Sequence, residues 1–304
     1  MVIPIPIYVV VFVFGLVFGS FFNVCIHRWP QEEKTDHEWI KTPSNCPKCR
    51  APIRWYDNIP LIGWLRLGGK CRDCKAPIHW RYPAVELGNA LLWTGSLYLV
   101  TTYGLSNVAP ENIGIAHIIF VIFLASIWLI GMVTDFEHTL IPDEVWLPNL
   151  IAAVVFMFAA APYTISQGWL SSLYGLLMFA GFIAMFWFFG GMGFGDVLVA
   201  LGFGIIFGWP LSNVALFLGI LSGGIVAIPL LIYVRLVQKK KGRAEMPFGP
   251  WLFLGCYVSL FFGTAIKDWY LSTFLPSGTG AGAVPAAILH QLLDLYLAAV
   301  GLIS

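Results

Sequence analysis

The chain has 304 residues, of which 59% are hydrophobic and 11% charged, with a mean hydropathy of +0.80 and a net charge of +1. This composition excludes an ordinary soluble globular protein, and nothing in the charge suggests a nucleic-acid partner. Because several apolar runs approach 20 residues, we expect an all-α polytopic membrane protein in a lipid bilayer.

The first apolar run, Ile7 to Cys25, predicts a retained transmembrane helix. It lacks a basic region before it and is too long for the apolar core of a cleaved secretory signal. Seven further runs predict seven further spans: Ala84 to Tyr103, Ile113 to Thr134, Val145 to Ala161, Leu170 to Phe189, Val197 to Trp209, Asn213 to Val234 and Gly249 to Ile266.

The basic residues predict the orientation of these spans. Eleven of the seventeen Lys and Arg lie between Arg28 and Arg81, five lie between Arg235 and Arg243, and Lys267 stands alone. Basic loops favour the cytoplasm, so both clusters are expected there, and the six spans between them fit because six is even. The N-terminus is then expected outside the cytoplasm.

Four regions follow from this pattern. Residues 1–26 form the first transmembrane helix, 27–83 a cytoplasmic loop, and 84–272 a membrane domain with the remaining seven spans. Residues 273–304 contain a linker rich in Gly, Ser and Pro and an apolar helix, which we expect at the membrane interface because three polar groups interrupt it.

The cytoplasmic loop contains an internal repeat of the form C-x-x-C-[KR]-A-P-I-x-W. Its copies begin at Cys46 and Cys71, so the four cysteines are Cys46, Cys49, Cys71 and Cys74. Two C-x-x-C pairs about twenty residues apart are typical of a structural four-thiolate zinc site. Two disulfides are the alternative, but the cytoplasm keeps thiols reduced, and bound zinc would help a short loop to fold.

Two acids adjoin predicted spans in a stretch without Lys or Arg, from Tyr82 to Val234. Asp196 closes the run Gly191 to Asp196, and Asp135 follows the span that ends at Thr134. An acid inside a bilayer costs roughly 2.5–3.5 kcal/mol, which makes it a functional candidate. The predicted topology places both at the cytoplasmic face, where two close carboxyl groups can share a proton and activate water, as in aspartic proteolysis.

The acids after Asp135 have other expected roles. Asp143 and Glu144 follow Pro142 and are expected in the first turn of a helix, where acids are favourable, with Asp143 in reserve as the catalytic partner. Glu137 is expected to be solvated in a loop, and these three acids could attract a basic peptide.

The glycines before Asp196 allow two interpretations. Gly193 and Gly195 could let a substrate backbone approach Asp196, because glycine leaves space and tolerates unusual dihedral angles. The alternative is helix packing, because Gly191 and Gly195 form a small-xxx-small pair, as do Gly15 and Gly19.

In these features the chain resembles the bacterial type IV prepilin leader peptidase/N-methyltransferase family. Its members are membrane aspartyl proteases of the GxGD class. The resemblance covers about Gly19 to Gly263. It is carried by Gly19 to Pro30, the cysteine loop, Asn58-Ile59-Pro60, Gly69-Lys70-Cys71, Arg81 to Glu86, Asp135 to Asp143, Gly191 to Asp196, and Pro247-Phe248-Gly249-Pro250.

The resemblance implies an enzyme that cuts the basic leader of prepilins or pseudopilins at the cytoplasmic membrane face and then methylates the new N-terminus with S-adenosylmethionine. It implies that Asp135 and Asp196 are the catalytic pair. The four cysteines of the loop correspond to those that the family has in its own loop. Glu86, Asn23 and Arg81 are candidates for contact with the substrate amine or the methyl donor; helix capping and headgroup anchoring are their alternatives. The family commonly has Lys two residues after the second aspartate, where this chain has Leu198.

Two other functions stay open on the sequence. Paired acids and a cytoplasmic zinc-binding gate would also suit a proton- or cation-coupled transporter, although transport sites are expected at the midplane. A zinc-ribbon scaffold for a pilus or secretion machine would need neither aspartate.

Overall fold

A computed structural model describes residues 3–30, 44–236 and 247–274, without the side chains of residues 230–236. The predicted interfacial helix and most of the second basic cluster lie outside these residues. The regular secondary structure of the described chain is helical, and isolated β-bridges occur in its loops. Its helices are α1 (Ile5–Arg28), α2 (Ile62–Arg66), α3 (Arg81–Tyr103), α4 (Ile115–His138), α5 (Asp143–Ala159), α6 (Trp169–Phe188), α7 (Phe194–Leu236) and α8 (Gly249–Phe274).

The all-α membrane architecture predicted from the sequence is confirmed. Five helices are long and apolar enough to cross a bilayer: α1, α4, α6, α7 and α8. Helix α3 has 23 residues and α5 has 17. The 17 residues of α5 span about 25 Å. The helices extend some predicted spans at their ends; α4, for example, runs on past Thr134 to His138.

Helix α7 contains the two spans predicted at 197–209 and 213–234. Non-helical backbone at Gly208 and Trp209 divides it, and Pro210 follows. Before this break Gly195 lies beside Ile141, in the short loop after α4. After it Gly223 packs against Trp251 at the start of α8, whose Gly249 also lies beside Ile141. The chain therefore reverses at Gly208 and returns to the face from which α7 began.

Several helix ends meet at one face of the bundle, here called the zinc-loop face. Arg81 at the start of α3 pairs with Glu137 at the end of α4. The start of α8 bonds to the last turn of α4, through Gly249 and Asp135. The loop at 44–80 is attached to this face because the Leu61 N–H donates to the Glu86 carboxylate over 2.8 Å.

Glycines set the closest helix contacts. A Cβ at Gly15 would lie 2.6 Å from the Cα of Ala90, and one at Gly19 would lie 2.7 Å from the Cα of Glu86. The Gly15 and Gly19 pair thus packs α1 on α3, as predicted. Gly191 precedes α7 and lies outside any helix, so the Gly191 and Gly195 pair is not a helix-packing motif.

Candidate active site and candidate metal centre

Asp135 lies in the last turn of α4, with only 6% of its surface exposed. Its Oδ2 accepts a hydrogen bond of 2.9 Å from the backbone N–H of Gly249. The helix ends three residues later because Thr139 takes a left-handed conformation and returns its N–H to the Asp135 carbonyl. The last turn of α4 therefore positions the backbone of Asp135, and the start of α8 positions its carboxylate.

Asp196 lies in the first turn of α7 and is 8% exposed. Its Oδ2 accepts a hydrogen bond of 3.1 Å from the backbone N–H of Gly193. Its Oδ1 is buried and has no hydrogen-bond partner within the described residues. A buried carboxylate oxygen without a partner is costly, and it is available to a water, a proton or a substrate.

The fold brings the two acids together from positions 61 residues apart. Ile141, which is 5% exposed, lies between the segments that hold them. A Cβ at Gly195 would be 3.2 Å from the Cβ of Ile141, and one at Gly249 would be 3.3 Å from its Cδ1. Such a pair can share one proton and act as acid and base.

The two glycines before Asp196 have different surroundings. Gly193 is exposed, and a Cβ there would make an ordinary contact of 3.6 Å with the Asp196 carboxylate. Gly195 packs on the backbone of Ile141. Neither has a positive φ, whereas Gly190 does, at 73°. The unusual dihedral angles expected of Gly193 and Gly195 are therefore absent.

The remaining predicted contact residues lie around this face and several already have partners. Glu137 is exposed, as expected, but it belongs to α4, so the expectation that it lies in a loop is wrong; Arg81 binds its carboxylate. Asp143 lies in the first turn of α5, as predicted, and accepts a hydrogen bond of 2.8 Å from Trp146.

Two residues proposed for the substrate amine or the methyl donor hold the fold together. Glu86 is buried and fixes the loop through Leu61. The Nδ2 of Asn23 donates to the carbonyls of Gly19 and Tyr82, over 3.3 and 3.0 Å. Its Oδ1 is buried without a hydrogen-bond partner in the described part of the chain, and so is the Nε of Arg81.

Sequence reasoning missed Gly249 and Ile141. The run Pro247-Phe248-Gly249-Pro250 contributed to the family resemblance, but nothing in it indicated contact with Asp135. Ile141 had no signal at all, because one apolar residue in a loop of an apolar chain is unremarkable.

The four loop cysteines form one cluster. Their sulfur atoms all lie within 4.8 Å of one another, with 3.8 Å between Cys46 and Cys74 and 4.0 Å between Cys49 and Cys71. Four sulfurs around a tetrahedral Zn²⁺, each at about 2.3 Å, would be about 3.8 Å apart. The residues therefore fit zinc. The six cysteines of the described chain are free, which does not support the disulfide alternative.

The internal repeat produces two matching knuckles. The N–H of Cys46 donates to the carbonyl of Ala51, and the N–H of Cys71 donates to that of Ala76, over 3.0 and 2.8 Å. Arg50 and Lys75, which follow the second cysteine of each pair, both have positive φ. The backbone amides of Cys49 and Lys48 lower the pKa of Cys46 to about 6, which favours the metal-binding thiolate.

An ion cluster supports the loop beside the metal centre. The side chain of Asp57 is 4% exposed and binds Arg66 and Arg72 at 2.6 Å. Hydrogen bonds from Arg72 and Arg66 lower the pKa of Asp57 to about 2. Both guanidinium groups lie over the ring of Tyr56. This cluster holds the segment between the two knuckles.

Comparison with known proteins identifies both halves of the chain. The family model described as the bacterial peptidase A24 N-terminal domain matches residues 13–100, and the model of the type IV leader peptidase family matches residues 121–228. No solved structure matches the chain.

Curated relatives match most of the chain. Proteins named "Prepilin leader peptidase/N-methyltransferase" are 32% identical in Aeromonas salmonicida (strain A449), 30% in Pseudomonas aeruginosa and 29% in Legionella pneumophila. These alignments cover 87%, 88% and 90% of this chain and 94%, 94% and 97% of the relatives. The resemblance inferred from the motifs is confirmed: this chain belongs to the type IV leader peptidase family of multi-pass inner-membrane proteins.

Proposed function

We propose that this protein cleaves the leader peptide of type IV prepilins or pseudopilins with Asp135 and Asp196 and then methylates the new N-terminus. The observation that carries the proposal is the burial of these two acids at the zinc-loop face, on segments that both lie against Ile141. A membrane fold gains nothing in stability from two close carboxyl groups in a partly dehydrated place, whereas hydrolysis of the aspartic-protease type uses such a pair.

The geometry suits general acid–base catalysis. One carboxylate accepts a proton from water while its neighbour, protonated, donates to the carbonyl oxygen of the scissile bond. The buried Oδ1 of Asp196 is the atom available for this exchange, because Oδ2 is held by Gly193. No nucleophilic side chain is needed.

The substrate would approach along the cytoplasmic membrane face. Asp143 in the first turn of α5 is exposed and would attract the basic leader. This requires the orientation inferred from the basic residues, with the N-terminus periplasmic and the zinc loop cytoplasmic. The positions of both aspartates at one face, rather than at the midplane, argue against the transporter alternative.

For methylation, Asn23 and Arg81 at the membrane edge are the proposed contacts. The Oδ1 of Asn23 can accept a hydrogen bond from an amine, and the Nε of Arg81 can donate one to a carboxylate. S-adenosylmethionine carries both groups and supplies an electrophilic methyl group. Zn²⁺ held by the four cysteines would be structural, because a closed four-thiolate site leaves no open position.

The test is cleavage of a purified prepilin by the purified protein in lipid, read by mass. Asp135→Asn and Asp196→Asn should each reduce cleavage at least about 100-fold, the range for loss of general acid–base catalysis. Asp268→Asn is the matched control, because Asp268 is exposed on α8 and pairs only with its neighbour Lys267 in the described contacts. Cleavage at normal rates by either active-site variant would reject the catalytic pair.

A further inference from the structure

The start of α8 contacts the proposed catalytic centre directly. The N–H of Gly249 donates to Oδ2 of Asp135 over 2.9 Å, across 114 residues of sequence. The other early amides of α8 are used elsewhere, because Pro250 has no N–H and the amides of Trp251 and Leu252 donate to the carbonyl of Phe248. Gly249 is therefore the donor that this helix end offers to the carboxylate.

Position 249 also has no room for a side chain. A Cβ there would lie 2.6 Å from Oδ2 of Asp135, 3.2 Å from its Cγ and 3.3 Å from Cδ1 of Ile141. Gly249 is buried, and its φ is not positive, so backbone conformation gives no reason for glycine here. The nearest obstacle is the carboxylate itself, and this can move by rotation of a side chain.

We infer that Gly249 is a positioning residue for Asp135: its N–H holds one carboxylate oxygen and its missing side chain leaves the space that the carboxylate occupies. The inference rests on the proposed function, in which Asp135 is one of the catalytic pair. Ile141 completes the arrangement, because it touches both Gly249 and Gly195 and sets the spacing between the segments that hold Asp135 and Asp196.

The role of Gly249 can be tested because the family combines two activities, leader cleavage and N-methylation, which can be measured separately. Gly249→Ala should displace the Asp135 carboxylate and leave the helices in place. A displacement of about 1 Å in a catalytic group costs up to about 100-fold in rate, so kcat for cleavage should fall by about 30- to 100-fold with little change in KM. Methylation of a synthetic pilin peptide that already lacks its leader should be unchanged, and so should bound zinc.

The matched control is Gly224→Ala in α7, where an added Cβ meets no atom within 4 Å. Cleavage by Gly249→Ala at the rate of this control would overturn the inference and leave the proposed function standing. Loss of cleavage, methylation and zinc together would also overturn it, since Gly249 would then serve the fold alone. If Asp135→Asn cleaves like the wild type, the proposed function fails, and the inference fails with it.

Discussion

The two glycines that flank Phe194 differ in what a side chain would meet. A Cβ at Gly195 would be 3.2 Å from the Cβ of Ile141, so Ile141 would have to shift by a few tenths of an ångström. A Cβ at Gly193 would make an ordinary contact of 3.6 Å. We expect Gly195→Ala to reduce kcat for cleavage by about 3- to 10-fold, because a shift of this size moves the segment of Asp196.

Gly193→Ala is the comparison within the same run, and we expect a smaller effect from it. Steady-state kinetics on a prepilin would separate the two variants. A larger loss at Gly193 would indicate that substrate, rather than Ile141, occupies the space beside these glycines.

Asp57 provides a prediction about pH. Its pKa, lowered to about 2 by Arg72 and Arg66, lies below the value of about 3.9 for an unfolded aspartate. The ion cluster therefore contributes its full stability above about pH 4 and loses it as the pH falls towards 2. In mild acid the wild type still has an ionised Asp57, so release of zinc, followed with a chromogenic chelator, should begin at a higher pH in Asp57→Asn than in the wild type.

At neutral pH the same substitution should accelerate the loss of zinc to a chelator. Asp57→Asn leaves Arg66 and Arg72 without their anion, and Arg72 directly follows Cys71. Groups around metal ligands affect metal affinity by about 10- to 100-fold. We expect the lower end, about 10-fold, because Asp57 touches no cysteine directly in the described contacts. An unchanged rate would show that the cluster is irrelevant to the metal centre.

The chemistry of single residues was easier to predict than their partners. Asp135, Asp196 and the four cysteines stood out because acids are costly in a membrane and C-x-x-C pairs are specific. Glu86 was also noticed, but its partner is a backbone N–H of Leu61, which no sequence pattern encodes. Contacts of this kind depend on which helix ends meet in space.

At the scale of helices, close packing of α6 on the first part of α7 depends on small residues. A Cβ at Gly175 would be 2.6 Å from the Cα of Gly208 and would also meet the carbonyl of Gly204. These are backbone atoms and cannot rotate away. Gly175→Ala should therefore destabilise the protein by about 1–3 kcal/mol, the usual cost of overpacking.

The same helix supplies the control. Gly181 has no atom within 4 Å of an added Cβ. Gly181→Ala should leave stability unchanged or raise it slightly, because alanine favours helix. Thermal unfolding in detergent would compare the two, and equal melting temperatures would contradict the packing argument.

The spans themselves were predictable, because length and hydropathy are enough to mark a membrane helix. The division of this stretch into apolar runs at 197–209 and 213–234 also predicts the break between them. The charge pattern predicts the reversal of direction there, and the contacts of Gly195 and Gly223 agree with it. What the pattern did not contain was the extension of α4 to His138, which places Glu137 on a helix.

At the scale of the whole molecule, the ion pair of Arg81 and Glu137 joins the two regions that the family models match. Arg81 lies within residues 13–100 and Glu137 within 121–228, two positions after Asp135. Their charged groups are in contact, with side chains 14% and 31% exposed. This pair connects the zinc-loop half to the helix end that carries Asp135, so loss of either charge should disturb cleavage.

A charge exchange separates this role from direct substrate binding. Arg81→Glu and Glu137→Arg should each reduce cleavage, and the double exchange should recover about 1 kcal/mol, or about 5-fold, beyond the sum of the single effects. If Glu137 instead holds the basic leader, the double variant should be as poor as Glu137→Arg alone. The measurement is kcat/KM for one prepilin in all four proteins, with zinc content as the check on folding. Recovery in the double variant would mean that the two halves depend on this contact to place Asp135. The double exchange restores the attraction between positions 81 and 137, but it does not restore the anion at position 137 that a basic leader would bind.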